Sequence, residues 1–313
     1  MLTALCLGPV LAQSEPAGVM AGVEPITPIP APPRLDAARL ALGDRLFHDP
    51  QLSHNNAISC ASCHDLDSNG ASTQAHDPGP DGKPLELSTP TVFNAALNYR
   101  LDWSGDARTL EEEAAQSLSG GMGSSVEEAV GKLRARPEIA AMFRDAYGRE
   151  PDGAGLLDAI AVFEQSLLTP GSRFDQWLAG DPNAISQAEF EGYQLFKSMG
   201  CISCHQGVNA GGNMFQRHGV FHPLASPKPA IVRVPGLRNV AVTPPYFHDG
   251  SAATLEEAVR AMGLAQLDRV LTDEQITAII AFLNTLTGNY NGHPVVARPK
   301  TAAPKTTGSG TPP

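Results

Sequence analysis

Residues 60–64 read Cys-Ala-Ser-Cys-His, and residues 201–205 read Cys-Ile-Ser-Cys-His. The order C-x-x-C-H is the attachment signature of c-type haem. Two thiols separated by two residues can form thioethers with the two vinyl groups of one porphyrin, and the next His then lies under the ring as an axial ligand to the iron. Two copies therefore predict two covalently bound haem c groups. The residues that attach and ligate them are Cys60, Cys63, His64, Cys201, Cys204 and His205.

Two other uses of paired cysteines explain the motif less well. A zinc site could use both pairs as a Cys₄ cage, but a cage gives no reason for a His directly after each pair. A redox disulfide of the thioredoxin type is expected once, inside a βαβ pattern, and the sequence shows no such pattern. We therefore interpret both motifs as haem sites.

Length and composition indicate a globular protein of two domains. The chain has 313 residues, of which 42% are hydrophobic and 18% charged, and this length suffices for two domains of ordinary size. The formal net charge is −11. This charge argues against nucleic acid or an anionic membrane as a partner and favours encounters with other soluble proteins.

The first residues indicate export. Residues 2–12, which include Cys6, are apolar and end in small residues, as in the core and cleavage region of a secretory signal, although the usual basic segment is missing. The stretch is about half the ~20 residues that a transmembrane helix needs, so we expect no membrane span. We predict a signal peptide in residues 1–12 and a periplasmic location, which suits haem attachment outside the bacterial inner membrane.

Composition also divides the rest of the chain. Residues 13–34 are rich in Pro and small residues and predict an extended leader. Residues 291–313 mix Pro, Thr, Gly and Lys and predict a disordered tail. Between them we expect a first-haem domain over residues 35–180 and a second-haem domain over residues 181–290, with the boundary near Gly180-Asp181-Pro182.

Hydrophobic periodicity predicts a mainly α fold, because few runs alternate apolar and polar residues as strands do. Residues 43–47 (Gly-Asp-Arg-Leu-Phe) parallel residues 192–196 (Gly-Tyr-Gln-Leu-Phe), and each stretch precedes a haem motif. This weak internal repeat indicates one cytochrome c unit in each half. Segments with apolar residues at helical spacing are 35–47, 126–143 with a break at Pro137, 156–168, 186–196 and 272–286.

The last of these segments has a clear beginning. Thr272 and Gln275 form a predicted N-terminal capping box, and Gly288 is a stop signal. The apolar face from Ile276 to Leu286 is expected to cover the second haem and the helix before Cys201. An ordinary core helix is the alternative, and both descriptions can hold together.

Four further segments carry a family resemblance. Together with the two haem motifs in register, they resemble the bacterial dihaem cytochrome c peroxidases, a group that includes the MauG-type dihaem enzymes. The resemblance covers about residues 35–288 and implies two cytochrome c-like domains with one haem each. It makes the His64 haem the peroxidatic one and the His205 haem the low-spin haem that accepts electrons. The segments are residues 42–47, 89–94, 235–250 and 261–267.

The resemblance implies roles for two residues near the haems. Met262 falls where the peroxidases place a Met ligand and the MauG-type enzymes a Tyr, so it is the expected sixth ligand of the second haem. A thioether ligand raises the haem potential, whereas the alternative is Met262 as core filler. Trp103 matches the family Trp between the haems, and a buried core Trp is its alternative.

The family also holds a calcium ion between its domains, through an Asn side chain and backbone carbonyls near a Thr-x-Pro. Thr243 and Pro245 match this pattern, but the Asn position is Ser88. A hydroxyl is a poorer oxygen ligand than an amide for a hard cation. The resemblance therefore implies calcium that is weakly bound.

Peroxide cleavage requires a group that moves a proton from one peroxide oxygen to the other. The family Glu for this role is missing from residues 119–125, which contain no carboxylate. Glu113 instead aligns with a family Gln, and we hypothesise that it takes over proton transfer. The alternative is a solvated helix face with three acids, Glu111 to Glu113.

A second departure concerns the distal His that blocks the first haem in many family members. That position is Pro80 by spacing, and His76 lies four residues earlier. His76 could move in, although a surface-loop His is the simpler interpretation. The sequence therefore predicts a first iron that is open or water-bound in the oxidised protein.

Three functions remain after this comparison. The favoured one is reduction of hydrogen peroxide to water, with electrons that a periplasmic cytochrome c or cupredoxin delivers to the Met262 haem. A MauG-like enzyme would use the same chemistry to oxidise residues of a partner protein, which the Pro at position 80 favours. A non-catalytic dihaem electron-transfer protein is the third, suggested by the missing loop Glu. Each of these three functions is compatible with a homodimer.

Overall fold

The computed structural model describes residues 24–297. The predicted signal peptide over 1–12 and the first half of the leader lie outside the described residues, as does the end of the tail. Within residues 24–297 no helix has the length and apolar character that crossing a membrane requires. The described chain is mainly α, as the sequence predicted.

Each segment with predicted helical periodicity contains a helix, and the break at Pro137 separates two of them. In the part of the chain that the structure describes, the helices are α1 (Ala37–Phe47), α2 (Cys60–Cys63), α3 (Leu110–Ser119), α4 (Val126–Arg134), α5 (Pro137–Tyr147), α6 (Gly153–Ser166), α7 (Arg173–Leu178), α8 (Gln187–Ser198), α9 (Leu255–Leu267) and α10 (Asp273–Asn284). Of these, α2, α3, α7 and α9 lie outside the segments with predicted periodicity.

Short strands occur only in the second half of the described chain. β1 (Phe215–Arg217) pairs antiparallel with β2 (Ile231–Arg233), so that Gln216 lies opposite Val232. β3 (Asn289–Tyr290) pairs antiparallel with β4 (His293–Pro294). Two ribbons of this size hold loops together and do not form a sheet core.

The two halves repeat one helix crossing, which confirms the internal repeat. α1 packs on α6, and α8 packs on α10. A Cβ on Gly43 of α1 would lie 2.0 Å from the Ala159 carbonyl oxygen, and one on Gly192 of α8 would lie 1.9 Å from that of Ala278. Only glycine allows the helix backbones to approach so closely. Each glycine begins one of the two parallel pentapeptides noted in the sequence.

The predicted last helix forms as expected. The Thr272 hydroxyl accepts from the Gln275 amide, and the Gln275 side chain accepts from the Thr272 amide, which is the capping box. Ile279 and Leu283 of α10 line the cavity beside the second haem motif, while α10 also packs on α8. The apolar face therefore covers both structures that the sequence assigned to it.

Helix α7 lies before the predicted boundary at residue 180 but packs with the second half. Phe174 and Trp177 of α7 belong to the core of the second half. The Phe174 ring lies 4.8 Å from that of Tyr193 and 5.2 Å from that of Phe282, measured between centroids. The Gly180-Asp181-Pro182 turn is thus internal to the second unit. Turn residues mark a break in the chain, but which core a helix joins depends on distant partners.

The leader and the tail also contribute to the packed structure. Ile26 is 1% exposed and lies in the second core, and the Gly207 amide donates to the Pro25 carbonyl at 2.8 Å. At the other end, Val295 is 4% exposed and packs with aromatic residues of the first unit. The tail predicted from residue 291 is therefore ordered as far as the description extends, because an apolar residue fixes it.

One threonine joins the two units. Asn94 and Asn239 have the same left-handed backbone conformation, and each precedes a 3₁₀ turn. Their side-chain amides donate to the single hydroxyl oxygen of Thr169, at 2.7 Å and 3.0 Å. Buried hydrogen bonds of this kind fix geometry because breaking one leaves a polar group unsatisfied. The junction thereby fixes the relative position of the two haem motifs.

Candidate active site

The first C-x-x-C-H motif lines a cavity of about 380 Å³. Cys60 and Cys63 are the two ends of the single-turn helix α2, and His64 follows directly. The His64 Nδ1 donates to the Gly70 carbonyl oxygen at 3.1 Å. This tautomer places the imidazole lone pair on Nε2, which is the arrangement that haem and metal ligation require.

The second motif lines a cavity of about 190 Å³ together with Met262. Cys201 begins a 3₁₀ turn, and Cys204 and His205 come directly after that turn. His205 is buried, and this burial lowers the pKa of its imidazole to about 4, so the ring is neutral. Because Met262 of α9 faces the same cavity as His205, one iron could take both side chains, which favours the ligand interpretation over core filler.

A buried cation shows that the cavities suit haem. Arg233 lines both cavities, is 6% exposed, and donates to the Asp102 carbonyl oxygen at 3.0 Å rather than to a carboxylate. Burial lowers the pKa of its guanidinium. A buried charge needs an opposite charge or it is costly. Haem carries two propionates, and guanidinium groups bind carboxylates well, so the residues present fit haem.

The zinc alternative lacks a site. The Cys60 pair and the Cys201 pair line different cavities. Among residues 24–297, no group of three or more His, Cys, Asp or Glu side chains could hold a metal ion. A Cys₄ cage requires four thiolates about one ion, and the fold keeps the two pairs apart.

Trp103 lies where the two cavities meet. Its side chain lines both cavities and is 8% exposed. The indole Nε1 donates to the Ser88 carbonyl oxygen at 2.8 Å, and the Arg233 amide donates to the Trp103 carbonyl oxygen at 2.8 Å. These bonds fix the ring between the two haem motifs. The position is the one that a bridging Trp needs, and the residue is also buried, so the two sequence interpretations are compatible.

Glu113 lines the first cavity and is not on a solvated face. It lies one helical turn before Ser117, whose hydroxyl donates to the Glu113 carboxylate at 2.7 Å. Burial raises the pKa of the Glu113 carboxyl, and the Ser117 hydrogen bond opposes this rise. The neighbouring Glu112 points outward and accepts from the Arg108 amide. Of the three adjacent acids, the helix presents Glu113 to the cavity.

A second carboxyl in this cavity was not predicted from the sequence. Glu164 of α6 is 6% exposed and lines the first cavity with Glu113. Burial, together with the negative charges of Glu113 and Glu111, raises the pKa of Glu164 well above its usual value. The available signal was a Glu within the apolar stripe of residues 156–168, at a position where a helix buries its side chains.

The comparisons with known proteins also divide the chain in two, with the division between residues 183 and 190. A family model described as di-haem cytochrome c peroxidase matches residues 37–183, and one described as cytochrome c matches residues 190–287. The cytochrome c551 peroxidase of Nitrosomonas europaea is 41% identical over 92% of this chain and 90% of its own length. This chain belongs to the dihaem cytochrome c peroxidase family.

Two further family relatives show its breadth. The cytochrome c peroxidase Ccp of Escherichia coli is 38% identical over 85% of this chain, which spans 62% of that longer protein. A crystal structure of a MauG-like protein associated with microbial copper homeostasis superposes with a TM-score of 0.71, at 26% identity over 83% of this chain and 93% of the other. The family resemblance inferred from the sequence is confirmed, and with it two c-type haems.

The loop that carries the position of the distal His expected from many family members presents apolar side chains to the first cavity. Leu85 and Leu87 line the first cavity, whereas neither His76 nor Pro80 does so. The His76 Nδ1 donates to the Leu85 carbonyl oxygen at 2.9 Å, which keeps the ring within its own loop. Pro80 accepts from the Asn55 side chain at its carbonyl oxygen. This placement is compatible with the predicted open iron.

The predicted calcium ligands do not suit a tightly held ion. The Ser88 hydroxyl donates to the Phe247 carbonyl oxygen at 2.9 Å, and the Ser88 amide donates to that of His248 at 2.8 Å. The Thr243 hydroxyl donates to the Val240 carbonyl oxygen. Calcium prefers six to eight oxygens that include carboxylates, and Ser88, Thr243 and Pro245 bring none. The Ser88 side chain and amide already donate within the chain, and the weakly bound calcium stays a prediction.

Proposed function

We propose that this protein reduces hydrogen peroxide to water in the periplasm, with electrons supplied by a small redox protein. One observation carries the proposal: the two haem-motif cavities differ in their side chains and meet at Trp103. One cavity offers a thioether besides its His, while the other offers carboxyl groups. Haem bound in each supplies one-electron chemistry, and the chain assigns the two haems different tasks.

The second cavity is the side that receives electrons. Met262 and His205 together would saturate an iron there, and a thioether ligand favours the reduced metal. A saturated iron relays electrons without binding peroxide. The net charge of −11 favours a donor with a basic docking surface, because complementary charge accelerates encounter. A periplasmic cytochrome c or cupredoxin of this character is the proposed donor.

Trp103 connects that side with the peroxide site. It is buried, it borders both cavities, and hydrogen bonds at its indole nitrogen and its backbone fix its position. A rigid π-system close to both porphyrins shortens the gap that an electron crosses. We assign Trp103 the bridging role on these contacts.

The first cavity is the peroxide site, and Glu113 is its acid–base group. Breaking the O–O bond requires removing a proton from one oxygen and giving a proton to the other. Glu113 lines the cavity of His64, and its carboxyl has a raised pKa, which brings it closer to working pH. Leu85 and Leu87 exclude water without contributing a ligand. Peroxide can therefore reach the site without displacement of a His.

Calcium has no part in this proposal. Ser88 is tied to Phe247 and His248 by its hydroxyl and its amide, and it accepts from the Trp103 indole. These contacts hold the interface by themselves.

Steady-state consumption of peroxide by the dihaem protein, with a reduced cytochrome c as donor, tests the proposal. We expect turnover from the fully oxidised protein without prior reduction, and a loss of about 10² in rate for Glu113→Gln, the size of a typical acid–base contribution. Both haem spectra should remain unchanged in that variant. Absence of turnover with intact haems, or normal turnover in Glu113→Gln, would contradict the assignment.

The MauG-like function is the second candidate. The apolar loop at Leu85 and Leu87 favours it, because a first haem site without a blocking His is typical of the MauG-type enzymes. Met262 in place of Tyr favours the peroxidase. Peroxide added without a donor separates the two. A peroxidase returns quickly to its resting spectrum when the cytochrome is added, whereas a MauG-like enzyme keeps a long-lived oxidised state until it meets a protein substrate.

A further inference from the structure

Glu164 is a buried carboxyl without a partner. It is 6% exposed, and its carboxyl group lines the first cavity, where the described residues give it no hydrogen bond or ion pair and leave its oxygens open to the cavity. An unpartnered buried carboxylate is costly, so native proteins keep such a group neutral or use it. Its place in the wall of the first cavity, one turn after Ile160, puts it beside the reacting space.

The surroundings of Glu164 are acidic. The negative charges of Glu113 and Glu111 of α3 raise the pKa of Glu164, and the negative charge of Asp102 raises the pKa of Glu113. The Cys60 thiol of α2 faces both carboxyls and becomes a thioether when haem is attached. Among the residues that line this cavity, Arg233 is the one Arg or Lys, and it donates to the Asp102 backbone.

We propose that Glu164 and Glu113 form a carboxyl pair that holds one proton between them, so that one member is a base and the other an acid during peroxide cleavage. This inference rests on the proposed function and extends it. Two carboxyl groups that line one cavity and repel each other when both are charged favour the state that holds a single proton. Ser117 donates to Glu113 and stabilises its ionised form, which leaves Glu164 as the member that carries the proton.

The pair supplies both proton steps. The Glu113 carboxylate accepts the proton of one peroxide oxygen, while the Glu164 carboxyl donates its proton to the other oxygen. The O–O bond breaks with its electron pair going to the second oxygen, which leaves as water, and haem bound at His64 would hold the first oxygen and supply the electrons that it needs. The first oxygen becomes the second water when two electrons from the redox protein and two protons from solvent reach it. The pair retains one proton throughout, now on Glu113, and passes it back to Glu164 before the next cycle.

The pH profile of the peroxide reaction tests this division of roles. With the wild-type dihaem protein we expect a bell-shaped dependence of the rate on pH. The rate falls when both carboxyls are protonated and also when both are ionised. Glu164→Gln should lower the rate by about 10² and lose the alkaline fall, since only the base remains. Glu113→Gln should lose the acid limb, since only the acid remains. Glu127→Gln, which removes an exposed carboxylate of α4, is the matched control and should keep the bell.

A measurement without turnover separates this inference from the proposed function. The infrared spectrum of the oxidised protein at neutral pH should contain a carbonyl stretch of a protonated carboxyl that shifts in D₂O. The band should disappear in Glu164→Gln and persist in Glu127→Gln. If the band is present but no donor supports peroxide turnover, the proton-sharing pair survives and the proposed function fails.

Two results would overturn the pair. One is a Glu164→Gln variant that keeps the wild-type pH profile and differs from the wild type only in thermal stability. That result is expected if Glu164 has a purely structural role. The other is an infrared spectrum of the wild type without a protonated carboxyl. Fluoride binding to the oxidised first haem gives a further check: a protonated neighbour donates to bound fluoride, so Glu164→Leu, which has no donor, should weaken binding about tenfold, and unchanged binding would count against the pair.

Discussion

The Trp103 indole nitrogen donates a hydrogen bond of 2.8 Å to the Ser88 carbonyl oxygen. Ser88 in turn donates to Phe247 through its hydroxyl and to His248 through its amide. The residue between the two haem cavities is thereby connected to the loop of the second unit. One short chain of hydrogen bonds both positions the electron path and joins the two halves of the molecule.

Replacing Trp103 by Phe should slow electron transfer between the haems. The Phe ring keeps part of the π-system but leaves the buried Ser88 carbonyl oxygen without its donor, at a cost of about 1–3 kcal/mol in the free energy of unfolding. Stopped-flow reduction by the donor should show the second haem reduced at the normal rate and the first reduced late. Trp177→Phe, in the core of the second unit and away from both cavities, should lose stability without delaying the first haem; an equal delay would argue against a specific bridge.

Substitution of Met262 should change the second haem alone. Met262→His is expected to lower its potential by on the order of 0.2 V, within the roughly 0.8 V range that axial ligands control. Redox titration followed by optical spectra measures the change. Met199 lines the same cavity, so Met199→Leu is the matched control and should leave the potential in place. A changed potential in Met199→Leu and an unchanged one in Met262→His would instead identify Met199 as the ligand.

Removal of calcium should have little effect on stability. The Ser88 contacts are made within the chain, so thermal melting in EDTA and in calcium should coincide. An ion at 100 times its Kd would instead add about 2.7 kcal/mol. Ser88→Ala should lose about 1 kcal/mol with its hydroxyl hydrogen bond, equally in both buffers. A calcium-dependent rise of the melting temperature in the wild type would restore the family ion to this chain.

The helix crossing at Gly43 should tolerate no side chain. Gly43→Ala places a methyl group against the Ala159 carbonyl, and we expect a loss of about 1–3 kcal/mol, the range for overpacking. Urea unfolding measures it. Gly131 of α4 has open space at its Cβ position, so Gly131→Ala should stabilise by about 0.4–1 kcal/mol. A lower free energy of unfolding for Gly43→Ala and a higher one for Gly131→Ala would establish the close approach at Gly43. Changes of the same sign in both variants would contradict it.

The buried Arg238–Asp175 pair should be essential for folding. The Arg238 Nη1 lies 2.8 Å from the Asp175 Oδ1, and its Nη2 donates to the Thr27 carbonyl oxygen at 2.7 Å. Asp175→Asn leaves a buried guanidinium unpaired, which costs about 3–5 kcal/mol. Glu150→Gln, which removes an exposed partner of Arg144, should leave urea unfolding almost unchanged. A small effect of Asp175→Asn would show that water reaches the pair.

The sequence by itself determined the chemistry that covalent and local rules control. A C-x-x-C-H motif attaches haem wherever it lies, because the spacing of Cys60, Cys63 and His64 alone suits one porphyrin. Helix α10 was predictable for a similar reason: its capping box and apolar stripe lie within one segment. Local order of this kind needs no knowledge of distant residues.

Tertiary structure alone decided which side chains share a cavity. Glu164 and Arg233 carried no motif, and each became a site residue because remote helices and loops close around it. The same holds for Ile26, a leader residue that the second core buries. Burial and charge coupling depend on contacts between residues far apart in the chain, and a pattern read along one segment does not contain them.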